Sequence, residues 1–155
     1  MKITHKVTLK VTPWALLPLL LFALLGPAAA QGVKGPVGPD KVIYHVNAGL
    51  EQASNALEGI RNHLEVNPKA QIIVVTHAAG VDFLLKGAKT ARGNEYRQAV
   101  EDLDFQGVKF VVCEITLRAR GMTRSQFVPE AGFVPSGVAE IARLQQREGY
   151  AYLRP

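Results

Sequence analysis

Hydrophobic and polar positions follow two periodicities along residues 41–153, and their alternation predicts a sheet covered by helices. Short apolar runs rich in β-branched residues are typical of buried strands, whereas apolar residues three or four positions apart predict amphipathic helices. Strand patterns lie at 41–47, 70–76, 107–113, 132–134 and 150–153. Longer helix patterns lie at 53–64, 95–105 and 137–148, and short helical turns are predicted at 81–86 and 114–120.

This order of elements predicts an α/β fold, a single three-layer domain whose mostly parallel sheet is covered by helices on both faces. We expect the domain to span 41–155, because 31–40 is rich in glycine and proline and is predicted to be a flexible lead-in. In parallel sheets, ligands and reactive groups gather at the carboxyl ends of the strands. Asn47, His77 and Cys113 all fall at such ends, so we expect a site at this edge.

The first 30 residues have the pattern of a secretory signal peptide. Lysines precede an apolar stretch at 15–25, and Ala28-Ala29-Ala30 fits a small-residue cleavage site. The stretch is shorter than the ~20 residues that span a bilayer. We therefore expect cleavage after Ala30 and a periplasmic or secreted protein with no membrane attachment. An uncut signal that tethers the protein is the alternative.

Composition narrows the function further. The chain has 155 residues and a net charge of +5, and loss of the three lysines in 1–30 would lower that charge to +2. A charge of this size gives no case for nucleic-acid binding. One cysteine and four scattered histidines show no metal-ligand spacing, and no phosphate-binding glycine motif is present, so no metal or cofactor is predicted.

The single cysteine, Cys113, ends the third strand pattern and stands directly before the short basic helix at 114–120. An unpaired cysteine in an exported protein is buried, paired between chains, or a reactive thiol. A helix N-terminus and the nearby Arg118 and Arg120 would lower its pKa, whereas Glu114 would raise it or pair with Arg118. A small buried hydrophobe is the ordinary alternative.

Two further features of the predicted edge are candidates for chemistry. His77 is either a base for Cys113, an anion-binding group, or a hydrogen-bonding loop residue. Ser136 is predicted to cap the last long helix, whose start at 137–138 can bind an anion. His45 and His63 are predicted to be structural or solvated. Arg118, Arg120 and Arg124 form either a cationic patch or a solvated face.

The segment from Val112 to Gly121, VCEITLRARG, resembles the cysteine segment of the DsrE/DsrF-like sulfur-relay family. The segments 133–141 and 149–152 are similar to the exported or uncharacterised branch of the same family. The resemblance covers 41–155. It implies a small parallel α/β fold that assembles into homotrimers or homohexamers.

The resemblance also implies a role for Cys113, which matches the family's sulfur-carrying cysteine. Its thiolate would accept sulfane sulfur from a donor, hold it as a persulfide and pass it to a thiol acceptor protein. Asn47, His77, Thr116, Arg118 and Arg120 would shape the pocket and stabilise the thiolate. The alternative is a non-catalytic oligomeric module that binds a small anion and uses Cys113 only as a core residue, so enzyme activity stays open.

Overall fold

A computed structural model describes residues 39–155; the predicted signal peptide and residues 31–38 of the lead-in lie outside that range. Its strands are β1 (Lys41–Val46), β2 (Gln71–Thr76), β3 (Lys109–Cys113), β4 (Ala131–Val134) and β5 (Ala151–Leu153). Its α-helices are α1 (Gly49–Val66), α2 (Tyr96–Phe105), α3 (Glu114–Arg120) and α4 (Gly137–Glu148). Two 3-10 segments, Ala78–Leu84 and Arg124–Gln126, complete the described elements.

The five strands form one sheet in the order β4-β3-β2-β1-β5, and every neighbouring pair is parallel. The predicted α/β class and parallel sheet are therefore confirmed. Each strand runs in the same direction, so the carboxyl ends of all five strands meet at one edge of the sheet. That edge is also where the helices that follow the strands begin.

The side chains of successive strand residues point to opposite faces, and each face has its own core. One face packs against α1, α2 and the 3-10 segment Ala78–Leu84, and its buried strand residues include Val42, Tyr44, Val74 and Phe110. The other face packs against α4. Its buried cluster consists of Ile43, Val75, Ile141, Leu144 and Tyr150.

Local sequence signals predicted most element ends. Gly121 ends α3 in the left-handed conformation (φ 62°), and Ser136 caps α4 by accepting a hydrogen bond from the Ala139 N–H at 3.3 Å. One exception is Ala78–Leu84, which is one continuous 3-10 segment and not a loop followed by a helical turn. The spacing of Val138, Ile141 and Leu144 also predicts that all three lie near one face of α4, but Val138 is 63% exposed.

Gly80 fixes the 3-10 segment against the end of β1. A Cβ atom at this position would lie 2.1 Å from the Val46 carbonyl oxygen and 2.6 Å from the Asn47 nitrogen. Both contacts are with backbone, which cannot rotate away. Gly80 also donates its N–H to the His77 carbonyl at 2.9 Å, so its close approach determines where the chain leaves β2.

We expect Gly80→Ala to lower the free energy of unfolding by about 3 kcal/mol or more, because the sheet edge must open to admit the methyl group. Gly59→Ala is the matched control. Gly59 lies within α1, and a Cβ atom there would contact only Tyr44 Cε1, at 3.5 Å. That change should stabilise the protein by about 0.5–1 kcal/mol through helix propensity. Urea unfolding of both variants measures the contrast, and equal stabilities would contradict it.

Candidate functional site

The parallel register brings the predicted edge residues into one row. Val46 pairs with Thr76, and Thr76 pairs with Val112, so the next residues along the three strands are Asn47, His77 and Cys113. The sequence prediction that these strand ends lie together at one edge therefore matches the register.

Cys113, His77 and His45 share the face of the sheet that α4 covers. Residues two apart on a strand lie on the same face. The residues two positions before each of them contact the α4 cluster: Val111, Val75 and Ile43. Cys113 and His77 therefore lie near the N-terminal end of α4, and His45 lies on the same face one strand further along.

Gly137, the first residue of α4, lies against this group. A Cβ atom at Gly137 would lie 3.3 Å from Cys113 Cβ, 3.5 Å from His77 Cβ and 3.4 Å from the Thr76 carbonyl oxygen. The lack of a side chain lets the α4 backbone approach the strand ends. Cys113 and His77 therefore flank one point, the first turn of α4.

The Cys113 thiol is surrounded by N–H groups from two helices. Its residue is 5% exposed, and burial by itself raises the thiol pKa. Hydrogen bonding from the backbone N–H groups of Gly137, Thr116 and Ile115, and from the Thr116 hydroxyl, outweighs burial and lowers the pKa below its usual value.

Thr116 connects the thiol to the chain that leaves β2. Its Oγ1 accepts a hydrogen bond from the Ala78 N–H at 3.0 Å, which leaves the hydroxyl proton for the sulfur. Ala78 has φ 50°, a left-handed conformation that costs about 1 kcal/mol or more outside glycine. The Thr116 contact and the packing of Gly80 hold Ala78 there, directly after His77.

His77 is one end of a chain of three polar groups, with His45 in the middle and Tyr152 at the other end. Its Nε2 lies 2.7 Å from His45 Nε2, and His45 Nδ1 lies 2.6 Å from the Tyr152 hydroxyl. Burial lowers the pKa of both histidines, and Arg154 lowers both further. The pKa of His45 falls to about 4 through burial, repulsion by His77 and repulsion by Arg154, in that order. Both imidazoles are therefore neutral at neutral pH.

The predicted arginines take other positions. Arg120 donates to Asp82 Oδ1 at 2.6 Å and to the Ala78 carbonyl at 3.1 Å, so it braces α3 against the 3-10 segment. Arg124 pairs with Glu114, which therefore does not pair with Arg118 as the sequence suggested. The Arg118 side chain is exposed and has no ion pair within residues 39–155. Backbone N–H groups and the Thr116 hydroxyl, and not the arginines, lower the pKa of Cys113.

Asn47 directly follows β1, the strand beside β2 on the side away from β3. Its N–H donates to Gln52 Oε1 at 2.8 Å, and its own Oδ1 is buried without a hydrogen-bond partner in the described part of the chain. Gln52 also donates to the Pro155 carbonyl at 3.0 Å, so it connects the β1 end to the C-terminus. A buried acceptor without a donor can receive an N–H or O–H group of a ligand.

Three members of the site were not singled out as functional from the sequence: His45, Tyr152 and Arg154. His45 was predicted to be structural or solvated, yet it is 8% exposed and hydrogen-bonds two side chains of the site. The available signal was its i+2 spacing from Ile43, which places it on an apolar face. Tyr152 and Arg154 reach the site only through the pairing of β5 with β1.

Comparison with known proteins places this fold and cysteine in a family. The model of the DsrE/DsrF-like family matches residues 40–155. The chain belongs to the DsrE/DsrF-like family. The resemblance that the cysteine segment suggested is thereby confirmed. No curated protein sequence matches the chain.

Two solved structures have the same fold. The protein MTH1491 from Methanobacterium thermoautotrophicum, titled a protein of unknown function, is 34% identical; the match covers 75% of this chain and 99% of that one, with a TM-score of 0.66. The E. coli protein YchN is 18% identical over 75% of this chain and 99% of its own, with a TM-score of 0.63, and shows the fold alone.

Two features were sought in residues 39–155 and not found there: a metal-binding cluster and a membrane-crossing helix. No group of three or more His, Cys, Asp or Glu side chains there could hold a metal ion. Among the helices of the same range, none is both long and apolar enough to cross a membrane.

Replacing Thr116 should destabilise the Cys113 thiolate relative to the neutral thiol. We expect Thr116→Val to raise the pKa of Cys113 and to slow its alkylation by iodoacetamide at pH 7 about fivefold or more, since one hydrogen bond to a charged group contributes ~1–2 kcal/mol. Thr76→Val is the matched control, because that buried hydroxyl donates to the Val111 carbonyl at 3.0 Å. The same pH profile in Thr116→Val and wild type would refute this role.

The histidine pair should make the fold sensitive to acid. Because the folded pKa of His45 is about 4 and its ordinary value is 6.5, the unfolded chain binds more protons between these values. Stability should thus fall as pH drops from about 6.5 to 4, by roughly 2 kcal/mol after allowance for partial solvent access. His45→Phe should flatten this slope in urea titrations at several pH values, whereas a Tyr44→Phe control should retain it.

Proposed function

We propose that this protein is an exported carrier of sulfane sulfur, and that Cys113 holds the sulfur as a persulfide. The observation that carries the proposal is the place of Cys113 between two helix starts: it directly precedes α3, and a Cβ atom at Gly137 of α4 would lie 3.3 Å from its own Cβ. Backbone N–H groups at both helix starts lower the pKa of the thiol although the residue is 5% exposed. A buried structural cysteine needs no such donors, whereas a sulfur carrier needs a thiolate at this position when it accepts sulfur and again when it releases it.

The chemistry is two consecutive displacements at sulfur. The Cys113 thiolate attacks the sulfane sulfur of a donor persulfide or thiosulfate, a new S–S bond forms, and the donor leaves with the electron pair as a thiolate or sulfite. The thiolate of an acceptor protein then attacks the outer sulfur, and Cys113 leaves as a thiolate. Its low pKa favours this second step, because thiols of lower pKa leave faster.

Burial of Cys113 limits the reagents that reach it. With 5% of the residue exposed, the sulfur is more accessible to a small sulfane donor than to a folded protein surface. Once sulfur is bound, the outer sulfur atom is the atom that an acceptor thiolate must reach. Thr116 is a donor to the thiolate, His77 lies against the same first turn of α4, and Arg118 is an exposed cation of α3 available to an anionic partner.

Partners and location complete the proposal. The donor and acceptor are separate molecules, since this chain has one cysteine. Self-association into a homotrimer or homohexamer fits the apolar side chains exposed beside the site, Ile115 (50%) in α3 and Val138 (63%) in α4. Export rests on the signal pattern of residues 1–30, and N-terminal sequencing of the secreted protein tests it by asking whether the chain starts at Gln31.

Incubation of the reduced protein with polysulfide or thiosulfate should add the mass of one or more sulfur atoms to Cys113, and dithiothreitol should remove it. Cys113→Ser should gain no mass. Thiol labelling of the native and denatured protein serves as the control for access. A Cys113 that is labelled in the native protein yet takes up no sulfur would refute the carrier role; labelling only after denaturation would favour the anion-binding module.

A further inference from the structure

The short helix α3 holds the chain segment that leaves β2 through two side chains. Thr116 and Arg120 are four positions apart, so they lie on the same side of α3. Thr116 Oγ1 accepts a hydrogen bond from the Ala78 N–H at 3.0 Å, and Arg120 Nη1 donates to the Ala78 carbonyl at 3.1 Å. The backbone groups on both sides of the Ala78 Cα atom are therefore bonded to one helix.

Ala78 has a backbone conformation that needs such support. Its φ is 50°, and within residues 39–155 it is the one residue other than glycine with a left-handed φ. The Cβ atom makes this conformation unfavourable for alanine. The chain cannot relieve the strain by moving Gly80, because that residue is packed so closely on β1 that a Cβ atom would lie 2.1 Å from the Val46 carbonyl oxygen.

Thr116 faces the sulfur as well as Ala78. Cys113 directly precedes α3, and Thr116 is the third residue of the helix. A side chain at the third position can reach back to the residue before the helix, as in a capping box. Burial raises the pKa of Cys113, and the Thr116 hydroxyl is one of the hydrogen-bonding groups that lower it. Thr116 is 7% exposed, so little water competes for its oxygen.

Arg120 is anchored at the other end of α3. The same Nη1 atom donates to Asp82 Oδ1 at 2.6 Å, and Asp82 belongs to the 3-10 segment that contains Ala78. Arg120 is not among the groups that change the pKa of Cys113. Its hydrogen bonds within the described part of the chain go to the segment after β2 and not to the thiol.

We propose that Arg120 is a positioning residue for Cys113. It holds Ala78 in the left-handed conformation, and the Ala78 N–H in turn keeps the Thr116 hydroxyl directed at the sulfur. The inference rests on the proposed function, because it assigns a residue that prepares Cys113 for attack on sulfane sulfur. It gives Arg120 an indirect role in place of the direct charge effect that the sequence suggested.

The Thr116 hydroxyl has two roles that depend on each other. Its oxygen accepts the hydrogen bond from the Ala78 N–H, which fixes the rotamer and leaves the hydroxyl proton for the sulfur. When the Arg120 side chain is lost, Ala78 relaxes towards an ordinary φ, and its N–H turns out of line with the Thr116 oxygen. The hydroxyl group then rotates freely and donates to the thiolate for only part of the time.

Glycine at position 78 separates this mechanism from an effect of charge. Glycine adopts a φ near 50° without steric cost, so Ala78→Gly keeps the turn without help from Arg120. The loss of a positive charge in Arg120→Gln would act on the thiolate whichever residue occupies position 78. Rescue by Ala78→Gly is therefore specific for positioning.

The test is a titration of the Cys113 thiol, followed by the ultraviolet absorbance of the thiolate with Cys113→Ser as the blank. We expect Arg120→Gln to displace the curve upward by about half a pH unit, part of the effect of losing one hydrogen bond to a charged group. Ala78→Gly should titrate like wild type, and Arg120→Gln combined with Ala78→Gly should return to the wild-type curve. In the Thr116→Val background, Arg120→Gln should add no further displacement.

Arg143→Gln is the matched control. Arg143 also donates to a carboxylate at 2.6 Å, that of Glu140, and its side chain is 39% exposed against 38% for Arg120. Its hydrogen bonds within residues 39–155 go to Glu140 and Glu148, and none goes to the segment after β2. Its titration curve should therefore equal that of wild type.

A second variant decides the result if circular dichroism shows that Arg120→Gln does not fold. Asp82→Ala removes the carboxylate that anchors Arg120 but leaves the guanidinium charge in place. Loss of a carboxylate would by charge alone displace the Cys113 titration downward. Release of Arg120 from its anchor should displace it upward, so the sign of the change distinguishes the two effects.

Two outcomes would overturn the positioning role. One is an Arg120→Gln curve that coincides with that of wild type; the other is an upward displacement that Ala78→Gly leaves unchanged, which would mark the loss of a charge. The titration uses no sulfur donor, so it reports on positioning alone. A protein that gives the expected curves but gains no sulfur mass would retain the positioning role of Arg120 and lose the carrier role.

Discussion

The site depends on the contact between the first turn of α4 and the carboxyl ends of β2 and β3. Gly137 has no Cβ, and any Cβ there would press on Cys113 and His77 at 3.3 Å and 3.5 Å. Because the backbone approaches this closely, its N–H reaches the sulfur together with the N–H groups of α3. Two helix starts thus converge on one side chain, and their partial positive charge offsets the cost of burying an anion.

This arrangement has a chemical consequence that a salt bridge would not have. A guanidinium fixed on the sulfur would neutralise a thiolate, but a donor or acceptor anion would compete for it. Backbone N–H groups are held by the sheet and the helices, and they serve the thiolate and the longer persulfide alike. Arg120 and Arg124 are engaged with Asp82 and Glu114, so they brace the surroundings and leave the thiol to the backbone.

Local signals made the fold and the position of Cys113 predictable. Apolar periodicity, the Gly121 end of α3 and the Ser136 cap each act within a few residues, and the sequence contains them in full. The contacts of the site depend on distant pairs: Tyr152 and His45 are 107 positions apart and meet only because β5 adds beside β1. The ion pair of Arg120 was not predicted for the same reason, since its partner Asp82 is 38 positions away.

Burial of the thiol and the polar chain across the strands set the electrostatics of the same sheet edge. With 5% of the Cys113 residue exposed, water contributes little to stabilising a thiolate, so hydrogen-bond donors of the protein must offset the cost of burying the charge. Burial and Arg154 lower the pKa of His77 and His45, so at neutral pH these imidazoles add no positive charge to that edge. The backbone N–H groups of α3 and α4, together with the Thr116 hydroxyl, therefore carry the stabilisation of the thiolate.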